Sequence, residues 1–182
     1  YAAKAAVGID AQVTLLDIDL NRLSYLEDVF GASVTTLYST EANIRKCLAE
    51  ADLVIGSVLI PGGKAPKLIR REHLSLMKKG AVIVDIAIDQ GGCLETSRVT
   101  THANPVYIED EVVHYCVGNM PGAVPHTSTI ALSNATLKYG RMIAKYGLEI
   151  YSKTNNYEEN RDFEITMWIA ENNIKQYVIL DD

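Results

Sequence analysis

The sequence is poor in several features that would direct a chain to particular partners. It has no run of lysine and arginine, and its net charge is −6, which argues against a nucleic-acid surface. No apolar run approaches the roughly 20 residues that a membrane-spanning helix needs. Cysteine is scarce. Cys47, Cys93 and Cys116 are odd in number and widely spaced, which suits neither a disulfide framework nor a zinc site and leaves the reading of reduced, buried thiols in a cytoplasmic protein. His73 falls in an expected surface helix, His114 in a strand, and His102 and His126 in polar loops; none has a metal-ligand spacing to a cysteine or carboxylate, so no metal site is expected. The chain has no internal repeat and no low-complexity segment. It also lacks an initiator methionine and a secretory signal. It starts in helix formers, "YAAKAAVG", reading as Ala2 to Val7 with Gly8 as C-cap. So short a helix nucleates poorly alone, and an N-terminal truncation is the expectation.

What is present is a chain of 182 residues that is 48% hydrophobic and 22% charged, enough for a domain with a real core. Its apolar patterning alternates. Strands are expected over Gln12 to Asp17, Ser33 to Ser39, "LVIGSV" after Asp52, Ala81 to Ala87 and Val112 to Val117. Between them come helices: "NRLSYLEDVF" capped by Asp19, "EANIRKCLAE" capped by Thr40, and "KLIRREHLSLM" after the loop "PGGKAP". A last helix is expected from about Ser128 to Tyr146. Strands separated by helices of this length imply right-handed βαβ crossovers and a mostly parallel, doubly wound sheet.

Such sheets place ligands at the carboxyl ends of their strands. The residues in question are Asp17, Ser39, Val58, Leu59, Asp89, Asn119 and Met120. Asp17 has two readings. In a dinucleotide-binding fold an acidic residue about 20 positions past the glycine fingerprint accepts the adenosine ribose hydroxyls; here that fingerprint would fall just before Tyr1. Otherwise Asp17 starts a turn with Asp19. Asp89, in "VDIAIDQGGC", likewise reads as a carboxylate at the mouth of the sheet or as a cap for the segment that follows, with Gly91 and Gly92 freeing the backbone beside it. "PGGKAP" does not fit the phosphate-loop pattern and reads as a turn.

The segments "VTLLDIDLNRL", "ADLVIGSVLIPGGKAPKLI", "MKKGAVIVDIAIDQGGCLETSRVTTHANPVY" and "HYCVGNMPGAVPHTSTIALSNATLKY" resemble alanine dehydrogenases over about residues 1–150. The resemblance implies a Rossmann-like domain that here lacks its first strand and glycine-rich loop. It also implies NAD as cofactor, reversible oxidative deamination of L-alanine to pyruvate and ammonia, and homo-oligomers, hexamers in the family, with no nucleic acid or membrane as partner. Carried over by motif, Asp17 matches the ribose-binding aspartate, Arg22 a basic residue on the adenosine side, and Ser39 a serine near the adenine. Val58 and Leu59 match the pair lining the cofactor. Ile86, Ala87, Ile88 and Asp89 match the segment under the nicotinamide, Asp89 in the catalytic role. Arg98 matches a cofactor-contacting arginine, and Val117, Gly118, Asn119 and Met120 match the segment that closes over the nicotinamide ribose.

On this reading residues 1–127 form the NAD-binding domain, 128–150 a helix that returns to the substrate domain, and 151–182 a divergent tail. In that tail "RDFEITMWIAENN" is amphipathic and "QYVILDD" strand-like, with a weak resemblance to the end of a haloacid-dehalogenase-like hydrolase, where such aspartates help hold Mg²⁺. The substrate-binding residues of the family fall outside the chain. Two alternatives therefore stay open beside the dehydrogenase: a non-catalytic nucleotide-binding fragment, and an NAD(H)-binding domain of the transhydrogenase kind.

Overall fold

A computed structural model of the chain describes residues 1–58, 60 and 63–145, with side chains up to residue 137. Leu59 and residues 146–182, with the end of the last expected helix and the whole divergent tail, lie outside the described residues.

The expected alternation of helix and strand is present as far as the third strand. A short helix, α1 (Ala2–Val7), leads into strand β1 (Val13–Asp17). Asp19 ends the crossing and starts helix α2 (Leu20–Phe30): its carboxylate accepts from the N–H groups of Asn21 at 2.8 Å and Arg22 at 3.3 Å, satisfying donors that the first helical turn leaves unpaired. Strand β2 (Val34–Tyr38) follows, and Thr40 caps helix α3 (Glu41–Glu50) through the N–H of Asn43. Strands β3 (Leu53–Gly56) and β4 (Val82–Asp85) come next. They are followed by β5 (Val106–Glu109), β6 (Val112–Tyr115) and helix α4 (Pro125–Lys145).

β1 pairs in parallel with β2, and a second sheet has the order β3-β4-β6-β5, parallel except for the β5–β6 hairpin. In a doubly wound sheet of order 3-2-1-4-5-6, β2 and β1 take positions 3 and 2, and β3, β4 and β6 take positions 4, 5 and 6. The central position, between β1 and β3, holds no strand among the described residues. The mostly parallel, Rossmann-like fold is the one expected from the sequence.

The core lies around the four-stranded sheet. Leu48, Leu74, Ile83, Leu94 and Val112 are buried together, each contributing roughly 1.5–3 kcal/mol by its removal from water. Helix α4 leaves Ile130, Leu132 and Leu137 exposed. No helix among the described residues is long and apolar enough to cross a membrane.

Four local expectations need correction. First, the strand expected to run to Ala87 stops at Asp85, and Ile86–Gln90 is a 3-10 turn. The carboxylate at the strand end is therefore Asp85, and Asp89 stands one turn further on. Second, "KLIRREHLSLM" is not an α-helix: only Arg71–Leu76 coil, as 3-10. Leu68 and Ile69 instead donate backbone N–H groups to the carbonyl of Cys93, and Ile69 accepts from Glu95. Third, His73 is 1% exposed, not on the surface. Fourth, β5 was not anticipated. It is joined to β6 by Asp110 and Glu111, both with positive φ, 47° and 64°, the hairpin geometry that matches strand twist.

Candidate functional site

The strand ends carry two groups of candidate residues, one on each sheet. On the smaller sheet, Asp17 lies opposite Tyr38 in register, and its backbone carbonyl accepts the N–H of Ser39 at 2.9 Å. Asp17 and Ser39 are thus neighbours, both half-buried. One oxygen of Asp17 accepts from the N–H of Asp19 at 2.9 Å, which turns the chain into α2 and fixes the carboxylate at the strand mouth. Arg22, exposed in the first turn of α2, has its guanidinium 5.4 Å from the ring centre of Tyr25. The turn-starting reading of Asp17 and the ribose reading are compatible, because a carboxylate can accept several hydrogen bonds.

On the larger sheet, β3 and β4 end together: Gly56 is opposite Asp85. Val58 follows β3 and is half-buried. Beyond β4 the chain enters the 3-10 turn that carries Asp89. Within it, Ile86 is 47% exposed and Asp89 is exposed, whereas Ala87 and Ile88 are buried. Only Ile86 and Asp89 present side chains outward; the carbonyls of Ala87 and Ile88 accept the N–H groups of Gly92 and Gly91. The same division holds after β6. Val117 is buried and bridged to Thr100, Gly118 and Met120 are half-buried, and Asn119 is exposed. Asn119 adopts the left-handed conformation, φ 53°, at the entry to a 3-10 turn, Met120–Ala123. From there its N–H points at Oδ1 of Asp89 across 3.4 Å. The structure thus brings Asp89 and Asn119 together, and His102 supports the pair by donating a ring N–H to the carbonyl of Asn119 at 3.1 Å.

Arg98 stands elsewhere. Its guanidinium lies 4.0 Å from the ring centre of Tyr107, a cation–π contact. Tyr107 in turn stacks on His114, with ring centres 4.9 Å apart. The Tyr107 hydroxyl donates to the carbonyl of Thr96 at 2.8 Å and accepts from the N–H of Arg98 at 3.1 Å; burial, above all, pushes its pKa up. His114 is buried with both ring nitrogens engaged. Nδ1 lies 3.0 Å from the carbonyl of Val112, which can only accept, so Nε2 accepts from Thr96 Oγ1 at 2.9 Å. This histidine is a satisfied core residue.

Sequence reasoning missed the group behind the turn. Asp85 is 0% exposed. Its Oδ2 accepts from the N–H of Cys93 at 2.9 Å and from Ser97 Oγ, and its Oδ1 faces the Cys93 thiol at 3.5 Å. Burial, then the Asp85 charge, push the Cys93 thiol up to about 12. Glycine is required on both sides. A Cβ on Gly56 would lie 2.2 Å from Cys93 Sγ, and one on Gly92 would lie 2.6 Å from Asp85 Oδ2. The signal in the sequence was Asp85 itself, a charged residue within an apolar run.

Glu41, Glu72 and His73 place one potential metal-ligating atom each within 4.8 Å of one another. Arg45 and Arg70 already face both carboxylates at 3.3–3.9 Å. Nδ1 of His73 accepts the N–H of Arg70 at 3.3 Å, which leaves the proton of the neutral ring on Nε2. That nitrogen lies 3.8 Å from Glu41 Oε1 and 3.7 Å from Glu72 Oε1. Among the described residues Nε2 has no hydrogen-bond partner at these distances, and as the protonated nitrogen of the neutral ring it offers a cation no lone pair.

Parallel strands ending in a row, with acceptors and exposed apolar side chains at their carboxyl ends, define a Rossmann-like, doubly wound α/β domain. The family model for the alanine dehydrogenase/PNT C-terminal domain matches residues 1–161, and the chain belongs to that family. Among curated proteins it is 53% identical over 156 residues to an alanine dehydrogenase of Staphylococcus haemolyticus. It is 54% identical over 155 residues to alanine dehydrogenase 2 of Staphylococcus aureus. Each match covers 85% of this chain and 42% of the relative's length. A solved L-alanine dehydrogenase superposes with a TM-score of 0.74 at 54% identity, covering 80% of this chain and 40% of that one. A solved transhydrogenase from Sinorhizobium meliloti superposes with a TM-score of 0.67 at 25% identity, covering 78% of this chain and 40% of that one.

Proposed function

We propose that this chain is the NAD-binding part of an alanine dehydrogenase, the enzyme that converts L-alanine, NAD and water to pyruvate, ammonia and NADH, reversibly. The observation that carries the reading is Asp89. It is an exposed carboxylate at the mouth of a parallel sheet, held by the N–H of Asn119, in a family whose named relatives are alanine dehydrogenases.

The residues present fit the cofactor. Asp17 is an acceptor at the end of β1, where ribose hydroxyls need one, with Ser39 beside it and Arg22 at the start of the next helix. Val58 and Ile86, after β3 and β4, supply apolar surface for rings. A bound NAD would supply the acceptor for the hydride from the Cα of alanine, and that chemistry belongs to the cofactor. The task of Asp89 is proton movement. After hydride loss, water attacks the iminium carbon while the carboxylate takes a proton from that water; the carboxyl then returns the proton to the nitrogen of the resulting carbinolamine, so that ammonia leaves as the hydroxyl becomes the carbonyl of pyruvate. Leu59 and Arg98 belong to the proposed cofactor contacts by family resemblance. Arg98 reaches that role from a site where it also packs on Tyr107.

Residues 1–127 are the proposed NAD-binding domain, 128–150 the connection back to a substrate domain, and 151–182 a divergent tail. A homo-oligomer, a hexamer as in the family, and a cytoplasmic location complete the proposal. A second reading is a nucleotide-binding fragment without catalysis; the chain spans 42% of the length of the curated relatives it matches. One pair of measurements separates the two. The chain is titrated with NADH. It is then joined behind the N-terminal part of the Staphylococcus haemolyticus relative and assayed with pyruvate and ammonium. NADH oxidation by this completed enzyme supports the dehydrogenase. NADH binding with no turnover in the completed enzyme supports the fragment.

A further inference from the structure

The turn Gly91–Gly92–Cys93 follows directly on the 3-10 turn that carries Asp89. Gly91 and Gly92 have φ of 89° and 76°, and glycine loses more backbone freedom on ordering than any other residue. Two charged residues that the proposed chemistry leaves without a role grip it from opposite sides. From within, Asp85 accepts the N–H of Cys93 and the hydroxyl of Ser97. From outside, Nζ of Lys67 donates to the carbonyl of Gly91 at 2.6 Å and to the carbonyl of Gly92 at 2.8 Å. A carboxylate thus takes a donor of the turn, and an ammonium supplies its acceptors. Hydrogen bonds to charged groups are stronger than neutral ones.

Neither residue is placed to touch a substrate at the mouth. Asp85 is 0% exposed, and Lys67 is committed to two carbonyls. The turn is coupled to Asp89 through its own backbone: Gly91 N–H bonds to the carbonyl of Ile88, and Gly92 N–H to that of Ala87, both at 2.9 Å. Those carbonyls flank Asp89 on its N-terminal side, so a shift of the glycines moves the residue that bears the carboxylate.

We infer that Asp85 and Lys67 form a two-sided clamp on the Gly91–Cys93 turn and are positioning residues for Asp89. The inference rests on the proposed role of Asp89, and its test has two separate arms. In the 182-residue chain, amide hydrogen exchange at Gly92 and Cys93 reports the clamp directly. In the completed enzyme, kcat and KM report its consequence. Lys67→Met keeps the apolar stem and removes the ammonium. Two charge-assisted hydrogen bonds are lost, and exchange is expected to rise at least about tenfold. The value of kcat is expected to fall about tenfold, as misplacement of a reacting group does, with KM for alanine and NAD little changed. Lys67→Arg restores a charged donor and is expected to recover much of both. Lys79→Met removes the same charge from an exposed pair with Glu111 and is expected to change neither. Asp85→Asn is the companion variant; where it fails to fold, Lys67→Met carries the test alone.

Unchanged exchange in Lys67→Met overturns the clamp. Raised exchange with unchanged kcat, in an enzyme that Asp89→Asn cripples, overturns the positioning role. If Asp89→Asn itself leaves kcat intact, it is the reading of Asp89 that fails, and the exchange arm still decides the clamp.

Discussion

The backbone N–H of Asn119 points at Oδ1 of Asp89 across 3.4 Å, although the two residues are 30 positions apart in the chain. The contact ties the turn after β4 to the turn after β6, so two adjacent strand ends present one surface. Asn119 reaches it only because it adopts φ 53°, a conformation that asparagine tolerates better than most residues.

Cofactor choice tests the other strand-end group. In its proposed role, the carboxylate of Asp17 would accept from ribose hydroxyls and repel a 2′-phosphate. The completed enzyme is therefore expected to bind NADH more tightly than NADPH, and Asp17→Asn to narrow the gap. Equal affinities in the unaltered protein would mean that Arg22, three residues into α2, outweighs Asp17.

Gly56→Ala tests the packing behind the turn. Its Cβ would lie 2.2 Å from Cys93 Sγ, so the strand or the thiol must shift. Overpacking of this kind costs about 1–3 kcal/mol. Urea denaturation is expected to show that loss, and Cys93→Ala in the same chain to recover part of it. A loss that Cys93→Ala does not relieve would place the strain elsewhere.

The Cys93 thiol gives the stability a dependence on pH. Its folded pKa is pushed up to about 12 from an ordinary value of 9.0. The folded chain therefore holds the proton where the unfolded chain releases it. The contribution is fully present below about pH 9 and is lost as pH rises from there towards about 12. Cys93→Ala is expected to flatten the decline in midpoint urea concentration over that range. An equal decline with and without the thiol would assign it to other groups.

Much of this was legible in the sequence. The helix caps at Asp19 and Thr40 were, because a short polar side chain before an amphipathic run has one good use. So was the parallel order, because strands alternated with helices. The end of β4 was not. "VIVDIAI" is apolar throughout apart from Asp85, so its pattern does not say where pairing stops; the bonds from Gly91 and Gly92 back to Ile88 and Ala87 decide that. "KLIRREHLSLM" has a helical pattern, but the backbone of Leu68 and Ile69 is claimed by Cys93 and Glu95, a tertiary choice that overrides local propensity. The β5–β6 hairpin turns on Asp110 and Glu111 without a glycine, so the usual signal was missing. The site residues followed from family motifs; the structure adds which of them face outward, and that Asp85 lies beneath them.

The most direct test of the account is the charge on Asp89. In the completed enzyme, Asp89→Asn keeps the shape and removes the carboxylate. The account predicts a fall in kcat of roughly 10²–10⁴, the usual worth of a positioned acid or base. The dissociation constant for NADH is expected to change far less, since the proposed assignment gives most of the dinucleotide to Asp17 and the other strand ends. If Asp89 were only a cap, asparagine would serve about as well as aspartate. A near-native kcat in Asp89→Asn would contradict the catalytic role and leave "DIAIDQGGC" a structural turn.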